Sequence, residues 1–146
     1  MSETRTARRV LMETLRELAD SLHNGRWKVR RGATNWAVWP FADHPWGCAI
    51  IAAETTLGAE QSATISLDMF TAIPGDELRD RGIDDGVLEE ILCDVETLFR
   101  QLHEAVDGRG DAVTLTGIKI HRAAAVEAHD PNIGAQGVIV TFEVDF

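Results

Sequence analysis

The side chains that could carry out chemistry are spread along the chain without forming a metal-binding motif. The chain has five histidines, and no two of them have the i, i+4 spacing that places zinc ligands on one face of a helix. His129 and Asp130 are neighbours, but the Asp-Pro-Asn-Ile-Gly sequence that begins at Asp130 predicts a turn. A solvated loop is therefore the favoured interpretation of this pair, and neither a metal nor a cofactor is expected.

Nucleophilic catalysis is not indicated either. The chain contains no G-x-S-x-G element, and neither Cys48 nor Cys93 belongs to a C-x-x-C or Cys/His array. Cys93 follows Leu92 on the apolar side of a predicted helix, so two buried, reduced thiols are favoured over one disulfide. The adjacent acids Asp84 and Asp85 are explained by the positive end of that helix. We do not expect an enzyme.

A basic and aromatic segment, residues 26–31, is the strongest candidate for partner recognition. Residues 1–31 carry eight basic and four acidic side chains, which gives them a net charge of +4. Because the whole chain has a net charge of −10, the remaining residues have a net charge of −14. Proteins that bind single-stranded nucleic acid combine basic side chains with aromatic side chains. A protein as acidic as this one, however, is not expected to neutralise phosphates as its main activity. Docking of a positive patch onto a negative patch of another subunit is favoured, since Trp and Arg are enriched at interfaces.

Hydrophobic periodicity organises the chain into two main helices and several strands. The predicted elements are a helix over 4–23, short strands around Val29 and Trp36–Trp39, strands over 46–54 and 62–73, a helix over 86–106, and strands over 112–128 and 137–146. The last two strands are expected to form an antiparallel hairpin. With no βαβ alternation, the pattern predicts an α+β fold, a mainly antiparallel sheet packed by two main helices. The chain of 146 residues is expected to be a single domain.

The four tryptophans all fall within residues 27–46. For most of them, packing into the core explains their presence at least as well as partner contact does. The first 23 residues carry acids throughout and are unlike a signal peptide. The longest apolar run, residues 48–53, is too short to span a bilayer. A soluble protein made in a cytoplasm is therefore expected.

The second half of the chain has a recognisable order of parts. A strand over 63–70 is followed by the Pro74-Gly75 break, a long helix with an acidic start covers 84–106, and the chain closes on the alternating strand 137–146. In this order the chain resembles the tail terminator family of long-tailed phages, the group typified by minor tail protein U. The match covers residues 62–146 well and residues 4–54 loosely, and it contains no diagnostic motif.

This resemblance implies a hexameric ring in the virion that caps the tail tube, ends tube polymerisation and forms the head–tail joining surface. Its partners would be further copies of itself, the tail tube protein, and the head–tail connector or head completion protein. Genome DNA would pass through the lumen without specific binding, and an acidic lumen suits such passage. Another neck or tail-completion subunit, or the same part of a gene transfer agent, would show a similar pattern. The alternative class is a small ligand-binding or enzymatic α+β domain with His121, His129 or Asp130 near a pocket.

A ring requires heterologous contacts, in which one surface of a subunit meets a different surface of the next. The loops over 55–61 and 128–136 are expected to reach neighbours because they join rigid strands. The expected subunit or partner interface comprises Arg26, Trp27, Lys28, Arg30, Arg31, Glu60, His129, Asp130 and Asn132.

Overall fold

The computed structural model describes residues 7–32, 35–58, 61–72, 85–108, 114–130 and 134–146. In chain order the elements are α1 (Ala7–Ser21), β1 (Lys28–Arg31), β2 (Trp46–Thr56), β3 (Ser62–Ala72), α2 (Asp85–Val106), β4 (Lys119–Asp130) and β5 (Ala135–Asp145). Short 3₁₀ helices occupy Leu22–Asn24 and Trp36–Val38. The predicted α+β class is confirmed.

The strands form one sheet in the order β1-β2-β3-β5-β4. The pairs β2/β3, β3/β5 and β5/β4 are antiparallel, whereas β1 runs parallel to β2. The prediction of a mainly antiparallel sheet is therefore confirmed. The predicted terminal hairpin is also confirmed, because β4 and β5 pair from Lys119 opposite Asp145 to Asp130 opposite Ala135.

Both helices pack on one face of the sheet, which we call the helix face. Helix α1 buries Leu11, Leu15 and Ala19, and α2 buries a longer stripe at helical spacing. These side chains share one core with the inward positions of the central strands, which are Cys48, Ile50, Ala63, Ile65, Leu67, Met69, Val138, Val140, Phe142 and Val144. Helix α1 and its 3₁₀ extension end at Gly25, whose left-handed φ of 81° suits glycine.

The opposite face of the sheet, the helix-free face, is covered at one end by aromatic rings. The ring of Phe70 is stacked against Trp36, with centroids 5.1 Å apart, and meets Trp39 and Phe41 edge-on at 5.0 and 6.0 Å. The loop between β1 and β2 supplies these three rings, and Trp39 Nε1 donates to the carbonyl of His44 at 2.9 Å. We call this arrangement the aromatic cap.

Two predicted strands are corrected by the structure. Residues 36–38 form a 3₁₀ helix because the Asn35 side chain accepts a hydrogen bond from the amide of Ala37 at 2.9 Å, which caps a turn. The strand predicted from residue 112 begins at Lys119 instead. A turn at residues 116–117, where Gly117 has a φ of 83°, precedes it.

The prediction of two buried cysteines is half wrong. Cys48 is fully buried on β2, and burial raises the pKa of its thiol, with a further increase from the nearby carboxylate of Asp68. Cys93 is exposed, because its position on α2 follows the outward stripe of Glu89 and Glu96 rather than the buried stripe. Both thiols are free.

Candidate subunit-docking surfaces

The basic and aromatic segment divides into an inward part and an outward part. Trp27 is 1% exposed and lies in the core, so its assignment to a partner interface is corrected. Arg26 is partly covered, whereas Lys28 and Arg30 are exposed on the edge strand β1. The backbone of Arg31 belongs to β1, and its side chain lies outside the described atoms.

The inward part is held by Asp94 of α2. The indole Nε1 of Trp27 donates to Asp94 Oδ2 at 2.9 Å, and Nδ1 of His23 lies 3.3 Å from Asp94 Oδ1. The guanidinium of Arg26 lies 3.9 Å from Asp94 and 4.4 Å above the ring of Trp46. A buried carboxylate is stable with such partners. Asp94 therefore links α2 to the segment that follows α1. We assign it a structural role.

Sequence reasoning missed Asp94, although its position carried the necessary information. It lies three residues after Ile91 and four residues before Leu98, which are both fully buried. That spacing places Asp94 on the inward face of α2. An acid on the apolar face of a helix requires partners, and the nearby tryptophan and arginine of the basic segment were the available candidates.

A basic groove lies beyond the end of β1, where no strand among the described residues pairs with the edge of β2. Its volume is about 520 Å³, and its charged lining comes mainly from α1, with Arg8, Arg9 and Arg16 beside Glu13. The floor is residues 50–52 of β2, a segment that begins at Ile50, the last residue paired with β1. Nε of Arg9 donates a hydrogen bond to Oε1 of Glu13, one helical turn away, at 3.3 Å. Three guanidinium groups against one carboxylate give the groove a net positive charge.

An acidic groove lies on the helix-free face, at the end of the sheet away from the aromatic cap. Its volume is about 360 Å³. The carboxylates of Glu54, Glu143 and Asp145 line it, together with small hydroxyl side chains and His121. Glu54 and Glu143 flank Thr64 in one row across three strands. Nε2 of His121 also lies in this groove, 2.6 Å from Asp145 Oδ2.

The two grooves share no lining residue and lie on different sides of the sheet. The basic groove is formed with α1 on the helix face, whereas the acidic groove is formed by the outward row of β2, β3 and β5. Each is built on regular secondary structure, so the backbone positions that carry its charged side chains are fixed. Two complementary surfaces facing different directions can join identical subunits head to tail.

The remaining predicted interface residues lie elsewhere. His129 is exposed and Asp130 is partly covered, both at the end of the edge strand β4. They are at the same end of the sheet as the basic segment but at the opposite edge, four strand spacings or roughly 19 Å away. Glu60 and Asn132 lie outside the described residues. The nine predicted residues therefore do not form a single patch.

No protein-family model matches the chain, and no curated protein matches it. Within the described residues, no helix has both the length and the apolar character needed to cross a membrane. In the same part of the chain, no three His, Cys, Asp or Glu side chains are grouped as a metal site would require.

Proposed function

We propose that the chain is a structural virion subunit of the tail terminator kind. Copies of it form a hexameric ring that caps the tail tube, ends tube polymerisation and provides the surface that joins the tail to the head. The observation that carries the proposal is the pair of oppositely charged grooves. The basic groove of one subunit, with Arg8, Arg9 and Arg16, receives the face of the next subunit that carries Glu54 and Glu143.

The net charge of −10 supports the same function. The outward stripe of α2 exposes Glu89, Glu96 and Glu104 with one arginine, Arg100. A surface of this kind repels the phosphate backbone, so DNA can pass through a lumen without being retained. The tail tube protein and the head–tail connector or head completion protein are the proposed partners. A neck or tail-completion subunit of a phage or a gene transfer agent would use the same contacts.

The pair of His121 and Asp145 is the observation behind a second candidate, a small ligand-binding or enzymatic domain. Their side chains are 50% and 52% exposed, and the groove around them is lined mainly by charged and hydroxyl-bearing residues. Ligand pockets are mostly apolar and bury most of their ligand. We therefore favour the docking role for this groove.

The test is native mass spectrometry of the purified chain across protein concentration and salt. We expect a closed ring that dissociates as salt rises, because contacts between exposed charges are screened. Arg8→Glu should weaken the ring, and Arg100→Glu is the matched control, with the same charge change on an exposed site of α2. Adding Glu143→Arg to Arg8→Glu should restore assembly, since the opposed charges are then exchanged.

A chain that forms no ring at any concentration, alone or with tail tubes, would contradict the proposal. So would a ring that Arg8→Glu and Arg100→Glu weaken equally, because the basic groove would then have no specific part in assembly. Ring formation observed with an unchanged mass at high salt would instead indicate an apolar contact and would exclude the groove-to-groove arrangement.

A further inference from the structure

Strand β4 is a long edge strand with an unusual pattern of exposure. It has 12 residues, and none of them is buried. It pairs with β5 on one side, and in the described residues nothing pairs with its other side. Edge strands of this length normally carry protection, because their free amides and carbonyls can pair with another chain.

Both faces of β4 are open as well as its edge. Ala123 and Ala125 lie opposite Phe142 and Val140, which the helices cover, yet both alanines are exposed. On the helix-free face, Val126 is 62% exposed. Helix α2 reaches the start of β4, where Ile120 packs against the core, but it leaves Ala123 and Ala125 uncovered. Pairing of this edge with another strand would cover Val126 and the alanines on either side of it.

The protection that β4 does carry is confined to its first half. The register shifts between Ile120 and Arg122, which marks a β-bulge at His121, and Lys119 and Arg122 add positive charge there. Bulges and basic side chains are the usual means of blocking an edge. From Ala123 to Ala128 the strand has no bulge, no proline and one charged side chain, Glu127.

We propose that β4 pairs with β4 of a second copy of this chain, antiparallel, about a two-fold axis through Val126. The two sheets then join edge to edge into one ten-stranded sheet, and the two Val126 side chains meet on the helix-free face. Residues 122–130 of each copy take part. The bulge at His121 lies just outside this paired segment, where it limits further pairing.

Charge complementarity selects this occupant and this register. With Val126 opposite Val126 of the second copy, Arg122 lies opposite Asp130, and the symmetry repeats the pair at the other end. Both residues are on the helix-free face, opposite Glu143 and Ala135 of β5 respectively. Opposite charges directly across an antiparallel pair are stabilising. The sequence of β4 is thus complementary to itself in the antiparallel direction.

The neighbouring registers lack this match. The two-fold axis brings the helix-free face of one copy next to the helix-free face of the other. Residues directly opposite each other must therefore lie on the same face. An axis through Ala125 places Arg122 opposite Ala128 and brings the bulged His121 into the paired segment. An axis through Glu127 places two carboxylates opposite each other, which is unfavourable. Pairing about Val126 alone combines opposed charges, an apolar centre and an undistorted strand.

The inference does not rest on the ring. The β4 contact uses neither groove, and it can form whether or not head-to-tail contacts do. Its test is cysteine cross-linking of the full chain in a Cys93→Ser background, which removes the exposed native thiol. Val126→Cys places two thiols directly opposite each other across the axis, about 5 Å apart at Cβ. Ala124→Cys is the matched control, on the same strand and the same face.

Mild oxidation should convert Val126→Cys into a disulfide-linked dimer on a non-reducing gel. In the Ala124→Cys variant the two introduced thiols would be offset by four positions along the strand, roughly 13 Å, and should remain unlinked. Linkage of Ala124→Cys to the same extent, or of neither variant, would overturn the proposal. Circular dichroism checks that both variants are folded, as expected for substitutions at exposed positions.

A charge exchange tests the register independently. In dilute solution, Arg122→Asp and Asp130→Arg should each weaken dimerisation by about tenfold, because each places like charges opposite each other twice per dimer. The double variant should recover the original dimer. Failure of the double variant to recover, with both single variants weakened, would exclude the Arg122–Asp130 pairing. Unchanged dimerisation in the single variants would exclude it as well.

Discussion

The two ends of the helix-free face use the same three strands in opposite ways. At one end, the row across β2, β3 and β5 is Gly47, Phe70 and Gly137, and the aromatic cap covers it. At the other end, the row is Glu54, Thr64 and Glu143, and it is open. One end thus behaves as a second small core, and the other behaves as a surface.

This difference shows how a sheet with helices on one face can still be stable on both faces. Phe70 is fully buried although it points away from the helices. The glycines on either side leave room for its ring, and the loop before β2 supplies its neighbours. Since the cap secures one end, the charged row at the other end is free to contact partners. Stability and docking are therefore separated along a single face.

The comparison is tested most strongly by removing the ring at the centre of the cap. Phe70→Ala should lower the free energy of unfolding by about 4 kcal/mol, because it deletes a fully buried aromatic side chain and leaves a cavity between three other rings. Thr64→Ala, on the same strand and face at the open end, should change it by less than about 0.5 kcal/mol. Urea unfolding measures both. Equal losses would show that the two ends do not differ in packing.

The two glycines of the capped row, Gly47 and Gly137, should differ in how much stability is lost when each is replaced by alanine. A methyl group at Gly137 would collide with backbone atoms. These are the carbonyl oxygen of Met69 and the Cα of Phe70, and the Cα would lie 2.7 Å from the new carbon. At Gly47 it would meet ring atoms of Phe70 and Trp39 at 2.6 and 2.8 Å. Side chains can shift more easily than a paired strand. We expect Gly137→Ala to lower the free energy of unfolding by about 3 kcal/mol and Gly47→Ala to lower it by about 1 kcal/mol.

Thermal unfolding of both glycine variants checks this order. A Gly47→Ala variant that is the less stable of the two would mean that the cap is more rigid than the strand pair beneath it.

Periodicity was sufficient to predict much of this fold. Helix α2 and strand β3 lie close to their predicted bounds because each has a long, regular apolar pattern. The pairing of the terminal hairpin was also predicted, although β4 begins at Lys119 rather than at residue 112. The loop that forms the aromatic cap was misassigned, since its apolar residues serve one distant ring and follow no local period. Cys93 was misplaced although the sequence held the necessary signal. It lies four residues after Glu89 and three residues before Glu96, and this spacing puts it on the outward side of α2 with those two exposed acids.

The candidate surfaces were harder to predict than the fold. The charge imbalance indicated a basic region near the N-terminus, and the basic groove does involve α1. The predicted patch itself was divided, since Arg26 and Trp27 turn towards Asp94. The acidic groove depends on register, because Glu54, Glu143 and Asp145 are brought together by pairings between strands far apart in sequence. No spacing within the sequence contains that information.

The smallest expected effect concerns Asp68, which lies between the two ends of the helix-free face. Burial raises the pKa of this carboxyl above its ordinary value of 3.8. Its charged form is therefore less favourable in the folded state than in the unfolded state. Asp68 lowers stability at neutral pH, and this penalty disappears as the pH falls through the folded pKa towards 3.8.

Asp68→Asn should consequently be more stable than the parent protein at neutral pH, by less than about 1 kcal/mol because solvent still reaches the group. The advantage should shrink as the pH is lowered from about 7 to about 3, where the parent carboxyl is mostly protonated in both states. Urea unfolding across that range measures it. Glu143→Gln, which removes one negative charge from the exposed row, is the control. An advantage of Asp68→Asn that grows towards low pH would mean that the charged form of Asp68 is stabilised rather than penalised, and that this part of the face belongs with the open end.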